Sequence, residues 1–292
     1  MKILRVFPVK TSSTPNDDLV RIGEPDGLPL PEVDEIHISC VFTWHKDYCE
    51  HLRNVWDDIA AVPVRVGGPA FGDAGGDFVP GRYIKRGVTF TSRGCPNKCA
   101  FCYVPKREGD LRLLPITEGN EIQDNNIFAC PMQHFKAVCE MLERQRKGAR
   151  FVGGVDARLV SGRHVQNMWH LRIQELWLAC DTPGAITPLR AAVNLLSQLP
   201  AVKKVKSPRN KLRCYVLVGS GDERLEQAEK RLEEVWGAGC LPFAQLYRDD
   251  RGVKRFSPQW KALIRKWSRP AAMVAAHKEE KLRVTRVGKD RL

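Results

Sequence analysis

At 292 residues, 43% hydrophobic and 28% charged, the chain is long enough for one large folded domain with a small companion and too apolar to be disordered. Its net charge of +13 suggests a polyanion partner, but the excess is local: residues 251–292 hold thirteen basic against three acidic residues, and residues 182–221 hold seven basic and none acidic. No apolar run approaches the ~18 residues of a spanning helix, and Met1-Lys2-Ile3-Leu4-Arg5 opens neither a signal-peptide core nor a cleavage site, so no membrane and a cytoplasmic location are expected.

In chain order, 33–42 and 62–66 read as strands around a helix at 46–60, which makes one βαβ unit. Glycine and proline punctuate 67–81, the expected linker. From 88 onward strand-like runs (88–92, 121–129, 150–155, 175–180, 212–218, 241–247) alternate with helix-period segments (133–147, 164–171, 188–199, 223–236, 258–267). Such alternation implies a parallel sheet joined by helical crossovers. Eight units would close a barrel; six suggest an open, partial (βα)6 TIM-like barrel, and a doubly wound α/β sheet fits the same pattern. The expected division is an N-terminal βαβ subdomain with its linker (1–81), a barrel (82–250), and a helix with a basic tail (251–292), charged and thin in core residues from 277 onward.

Ten cysteines in a reducing compartment argue against a disulfide framework, so buried thiols are the default. The exception is Cys95-Pro-Asn-Lys-Cys99-Ala-Phe-Cys102, three thiols within eight residues in the loop after the strand at 88–92. Thiolates select zinc or iron-sulfur clusters, and an all-thiolate site normally supplies four. With three, a 4Fe-4S cluster keeps one iron open to a non-protein ligand. Zinc is the competitor, with a fourth ligand from His134 or a distant cysteine. Cys40, Cys130, Cys139, Cys180, Cys214 and Cys240, in or beside predicted strands and helices, and Cys49, in a helix, show no second cluster spacing.

C-x3-C-x2-C after the first strand of a six-fold βα alternation, with Phe101 just before the third cysteine, resembles the radical S-adenosylmethionine (radical SAM) superfamily over roughly 82–250. The resemblance implies that Cys95, Cys99 and Cys102 hold a 4Fe-4S cluster and that SAM chelates the fourth iron. It also implies reductive SAM cleavage to a 5'-deoxyadenosyl radical that abstracts hydrogen from a substrate, and an electron donor such as flavodoxin or ferredoxin.

Ligands of parallel α/β folds sit at the carboxyl ends of strands, which nominates the residues there. Asp124-Asn125-Asn126, read as lying within the second strand, resembles the acidic second-strand motif of the methylthiotransferase and cobalamin-dependent branches, so Asp124 or Asn126 is expected to contact SAM. The common Gly-Gly-Glu motif is lacking there. Gly153-Gly154 and Arg158 end the third strand, Asp181 the fourth and Gly219 the fifth. Arg158 is either a clamp for the SAM carboxylate or a surface arginine; Asp156 and Asp181 are cofactor contacts or helix caps. No D-x-H-x-x-G motif is present, which argues against cobalamin, and no phosphate-loop fingerprint occurs. The alternative to a radical enzyme is a zinc- or cluster-stabilised nucleic-acid-binding protein without catalysis, or a non-catalytic redox sensor. The basic C-terminal tail is then the expected grip on phosphates.

Overall fold

A computed structural model describes residues 1–27, 29–72, 78–79, 81–249, 256–275 and 277. The chain is a mixed α/β protein that forms two compact units, Met1–Gly153 with Arg248–Val253, and Gly154–Tyr247 with Lys254–Leu292. Its largest sheet has six parallel strands.

The first unit opens with β1 (Ile3–Phe7), β2 (Val20–Ile22), β3 (Glu35–Ser39), helix α1 (Lys46–Asp57) and β4 (Val64–Gly67). These four strands pair in parallel in the order β2-β1-β3-β4. Leu4, Val6, Ile36 and Ile38 pack against Cys49, Leu52 and Trp56 of α1, all fully buried. The Trp56 ring alone contributes about 3 kcal/mol by burial, and its Nε1 donates to the Gly23 carbonyl at 3.1 Å. The sequence reading found β3, α1 and β4 but missed β1 and β2. Arg5 interrupts the apolar run of β1, and its charge is accommodated by groups distant in sequence, the Asp17 carboxylate and the Arg82 carbonyl.

The chain continues through β5 (Val88–Thr89), β6 (Ser92–Arg93), α2 (Val104–Glu108), β7 (Arg112–Leu113), β8 (Glu121–Ile122), α3 (Met132–Arg144) and β9 (Ala149–Asp156). Helix α3 buries Phe135, Val138, Cys139, Met141 and Leu142 at helical spacing, as an amphipathic helix against a sheet must. The second unit holds α4 (Gly162–Asn167), β10 (Ile173–Ala179), α5 (Ile186–Leu196), α6 (Pro200–Lys203), β11 (Leu212–Val218), α7 (Leu225–Gly237), β12 (Leu241–Leu246) and α8 (Pro258–Trp267). The six-stranded sheet runs β12-β11-β10-β9-β8-β5. Strand β11 shows its origin plainly: Leu212, Cys214, Val216 and Val218 are buried, while the residues between them are half-buried.

Two expectations need correction. The run 121–129 is a two-residue strand followed by irregular chain and a turn at Ile127–Ala129, so Asp124-Asn125-Asn126 lies beyond strand β8 instead of within it. The side chains of Asp124, Asn125 and Asn126 turn to residues 91–95, through hydrogen bonds with Thr91, Ser92, Gly94 and Cys95. The strand expected at 88–92 breaks after Thr89, with Ser92–Arg93 turning away to pair with Arg112–Leu113. The expected linker falls partly, at 73–77 and 80, outside the described residues, as does the basic tail apart from His277. That imidazole stacks on Trp236 with ring centroids 4.0 Å apart. No helix among the described residues is long and apolar enough to cross a membrane.

Candidate cysteine-loop site

Three cysteines of the ten differ from the rest: Cys95, Cys99 and Cys102 are half-exposed, and the other seven are buried. They ride on an excursion between β6 and β7, whose antiparallel pairing (Ser92 with Leu113, Arg93 with Arg112) closes its base. Inside that closure Arg93 Nη2 donates to Glu108 Oε1 at 2.5 Å, and the Arg93 guanidinium lies 4.5 Å from the centre of the Phe90 ring. Burial pulls the Arg93 pKa down, and the charges of Glu108 and Asp124 hold it up. A buried pair of this kind is costly to break, because the partner left behind is an uncompensated charge. Gly94 turns at φ +78° where a Cβ would overlap the Asp110 carbonyl, so the chain can enter the excursion only through glycine.

The segment after β8 fastens the entrance to this loop, one residue after another. Asp124, 2% exposed, accepts from the Thr91 N–H and hydroxyl at 2.6 Å each and from the Ser92 hydroxyl at 2.7 Å. Asn125 Oδ1 accepts from the Gly94 N–H at 3.0 Å. Asn126 Nδ2 donates to Cys95 Sγ at 3.9 Å, a long sulfur contact. Burial raises the Asp124 pKa against these hydrogen bonds, which lower it. Behind Asp124 runs β9, where a Cβ on Gly153 would overlap the Asp124 carbonyl oxygen; glycine is what allows the two backbones to approach. Thus Asp124, Asn126 and Gly153, three residues nominated as SAM contacts, are brought together as supports of the cysteine loop. Thr91, Ser92, Arg93 and Glu108 belong to the same assembly, and sequence reasoning missed them. Asp124 lies 33 residues from Thr91 in the chain, and nothing local announces the pairing.

The thiols influence one another. Burial pushes the Cys102 thiol up, the Val104 backbone hydrogen bond opposes this, and Cys99 and Cys95 push it up further. Phe101, between the second and third cysteines, is half-buried. Among the described residues no three His, Cys, Asp or Glu side chains converge as a ready-made metal site. The donor chemistry fits a thiophilic centre: three half-exposed cysteines on one anchored loop. Drawing them onto one centre requires the loop to move. His134, considered as a fourth zinc ligand, sits on α3 with Nε2 buried and without a hydrogen-bond partner among the described residues, and it joins no such convergence.

In the second unit the nominated residues have specific partners. Arg158 Nε donates to the Asp156 carboxylate at 2.9 Å and 3.1 Å, and its backbone N–H donates to Asp156 Oδ1 at 3.0 Å. Asp156 is therefore the cap of the turn Ala157–Leu159, one of the two readings given for it. Asp181 caps no helix: its Oδ1 accepts from the Leu217 N–H at 2.8 Å, joining the ends of β10 and β11. Burial raises its pKa, opposed by that bond and by Arg231. Gly219 donates its N–H to Glu223 Oε2 at 2.7 Å, and Glu223 pairs with the buried Arg231, which also reaches the Leu217 carbonyl at 2.6 Å. Asp181 and Gly219 are thus two ends of one buried polar network centred on Arg231. Gly154 shows bare backbone to the Tyr215 ring.

No model of a known protein family matches the chain, and comparison with curated proteins gives no match.

Proposed function

We propose that this chain is a radical SAM enzyme in which Cys95, Cys99 and Cys102 bind a 4Fe-4S cluster that takes SAM at its open iron. One observation supports it above the rest: the only half-exposed thiols of the ten occupy the C-x3-C-x2-C excursion between β6 and β7, which follows β5, the first strand in chain order of the six-stranded parallel sheet. When bound, the cluster and SAM supply one-electron cleavage of the sulfonium to methionine and a 5'-deoxyadenosyl radical, which takes a hydrogen atom from the substrate.

On this reading the chain's own residues position the donors. Asp124, Asn125 and Asn126 hold residues 91–95 so that the loop presents its sulfurs at the carboxyl end of the sheet, where α/β folds bind their ligands. Asp124 and Asn126 are then positioning residues for the loop. Phe101 supplies the apolar side chain between the second and third thiols. The finer architecture proposed is a partial (βα)6 barrel behind the N-terminal sheet, in a cytoplasmic protein reduced by a flavodoxin- or ferredoxin-like donor.

The test is anaerobic iron-sulfur reconstitution, reduction with SAM, and mass spectrometry of 5'-deoxyadenosine for wild type and Cys99→Ala. Product from wild type and none from the variant is expected. Equal product from both, none with a loaded cluster, or zinc in place of iron by metal analysis overturns the reading.

A further inference from the structure

Two thiols of the first unit stand apart from the other buried cysteines. Cys40 follows the last residue of β3, and Cys49 lies on the face of α1 that buries Leu52 and Trp56. Both are fully buried, and their side chains hydrogen-bond to each other. The Cys40 backbone is fixed on both sides, its N–H donating to the Gly67 carbonyl at 2.9 Å and its carbonyl accepting from the Ala70 N–H at 3.1 Å. The next residue, Val41, is exposed, so Cys40 lies one step along the chain from solvent.

The pair is chemically unequal. The hydrogen bond from the Cys49 thiol lowers the Cys40 pKa against burial, and the Lys46 ammonium lowers it further. That same hydrogen bond, and then burial, push the Cys49 thiol up. Lys46 is itself placed, its ammonium 5.0 Å from the centre of the Phe71 ring. Cys180 and Cys214 of the second unit are a control within the molecule. They too are fully buried and hydrogen-bonded, but burial first, then Cys180, pushes the Cys214 thiol up, and its neighbours Cys240 and Asp181 push the same way. A nucleophilic thiol beside a cation, with a second thiol in contact that keeps its proton, is the arrangement of a peroxide-reactive cysteine and its resolving partner.

We infer that Cys40, beside Lys46, and Cys49 form a redox site that hydrogen peroxide converts into a disulfide joining the end of β3 to α1. The Cys40 sulfur attacks one peroxide oxygen, the O–O bond breaks, and the departing hydroxide leaves as water with the proton Cys40 gave up. The Cys49 sulfur then attacks the Cys40 sulfur, the new S–O bond breaks, and the second hydroxide leaves as water with the Cys49 proton. Two thiols are oxidised to one disulfide, and one peroxide is reduced to two waters. Local opening of the chain after Cys40 admits the oxidant, which is little larger than water. In a reducing compartment such a bond is transient, as a sensor requires. The site does not rest on the cluster.

The experiment treats the native full-length protein with hydrogen peroxide, blocks free thiols, and maps tryptic peptides by mass spectrometry. Cleavage after Arg21, Lys46 and Arg53 puts Cys40 in peptide 22–46 and Cys49 in peptide 47–53, so the disulfide is seen as these two peptides linked. It should form at least about tenfold faster than a link between Cys180 and Cys214, and dithiothreitol should reverse it. Cys49→Ala should leave Cys40 as a sulfenic acid that dimedone traps, and Cys40→Ala should leave Cys49 unmodified. Lys46→Met should slow the reaction about threefold, through a smaller thiolate fraction. Circular dichroism verifies that each variant is folded. The inference is overturned if the two peptides stay unlinked while Cys95, Cys99 and Cys102 are oxidised, if both pairs link at equal rates, if dimedone traps Cys49 instead, or if Lys46→Met reacts like wild type. Failure here leaves SAM cleavage untouched, and failure of SAM cleavage leaves this pair standing.

Discussion

Cys95, Cys99 and Cys102 contrast with Cys180, Cys214 and Cys240. The second trio is also clustered, close enough that Cys180 and Cys240 both push the Cys214 thiol up, yet all three are fully buried. Cys214 belongs to β11, while Cys180 and Cys240 sit just past the end of β10 and just ahead of β12. Burial is the first cause of the raised pKa of both Cys214 and Cys240. There the thiol behaves as a small apolar side chain that fits between strands. In the excursion the same group is placed by polar bonds on a loop whose backbone was not given over to the sheet. Proximity of sulfurs is thus common to both regions. What separates them is whether the surrounding chain spends its polar groups on the sulfurs' support or excludes water from them.

The largest effect expected from this contrast is kinetic. Native-state alkylation at pH 8 followed by peptide mass spectrometry should modify Cys99 on the order of 10³-fold faster than Cys214 or more, because the buried thiol waits for unfolding. Similar rates would erase the distinction. Next in size, Asp124→Ala leaves the donors of Thr91 and Ser92 unmet in a buried site and should cost about 3 kcal/mol in chemical denaturation. It should also loosen the loop and speed Cys99 alkylation further. Cys214→Ala should cost about 1 kcal/mol, against less than about 0.5 kcal/mol for Cys99→Ala, since only the first opens a cavity.

The smallest effect is in pH dependence. Burial raises the Asp124 pKa above its unfolded value, so its contribution to stability is fully present below the unfolded pKa and is lost as pH rises through the raised one. Asp124→Asn should flatten the stability profile across that window, measured by denaturation at a series of pH values. An unchanged slope would assign the pH dependence to another group.

Much of this contrast was legible in the residues, and for a physical reason. Strand 212–218 and helix 258–267 have the bounds that the sequence pattern suggested, because each is a full period of alternation or amphipathic spacing with a clear start. The cysteine spacing likewise announced its own loop. The supports of that loop were illegible, since Asp124 finds Thr91 and Ser92, and Arg93 finds Glu108, only after the strands have paired. The overlong strand at 121–129 has the same origin: Ile122, Ile127 and Phe128 are buried core residues, so their hydrophobicity was real, but the carboxylate and amides between them are used as side-chain acceptors and donors. Gly153 carried no signal of its own beyond being glycine, and its necessity is set by a backbone that arrives from the segment after β8.

The ribbon of β6 and β7 has a consequence for affinity. Bringing the two ends of a flexible chain of this length together costs entropy that rises only slowly with length but is never absent. Here the closure is already made by the ribbon and the Arg93–Glu108 pair, so the effective concentration of each thiol around its neighbours is set before any thiophilic ion arrives. Weakening the clasp, as Glu108→Gln would, should therefore lower the loop's hold on such an ion without removing a single sulfur.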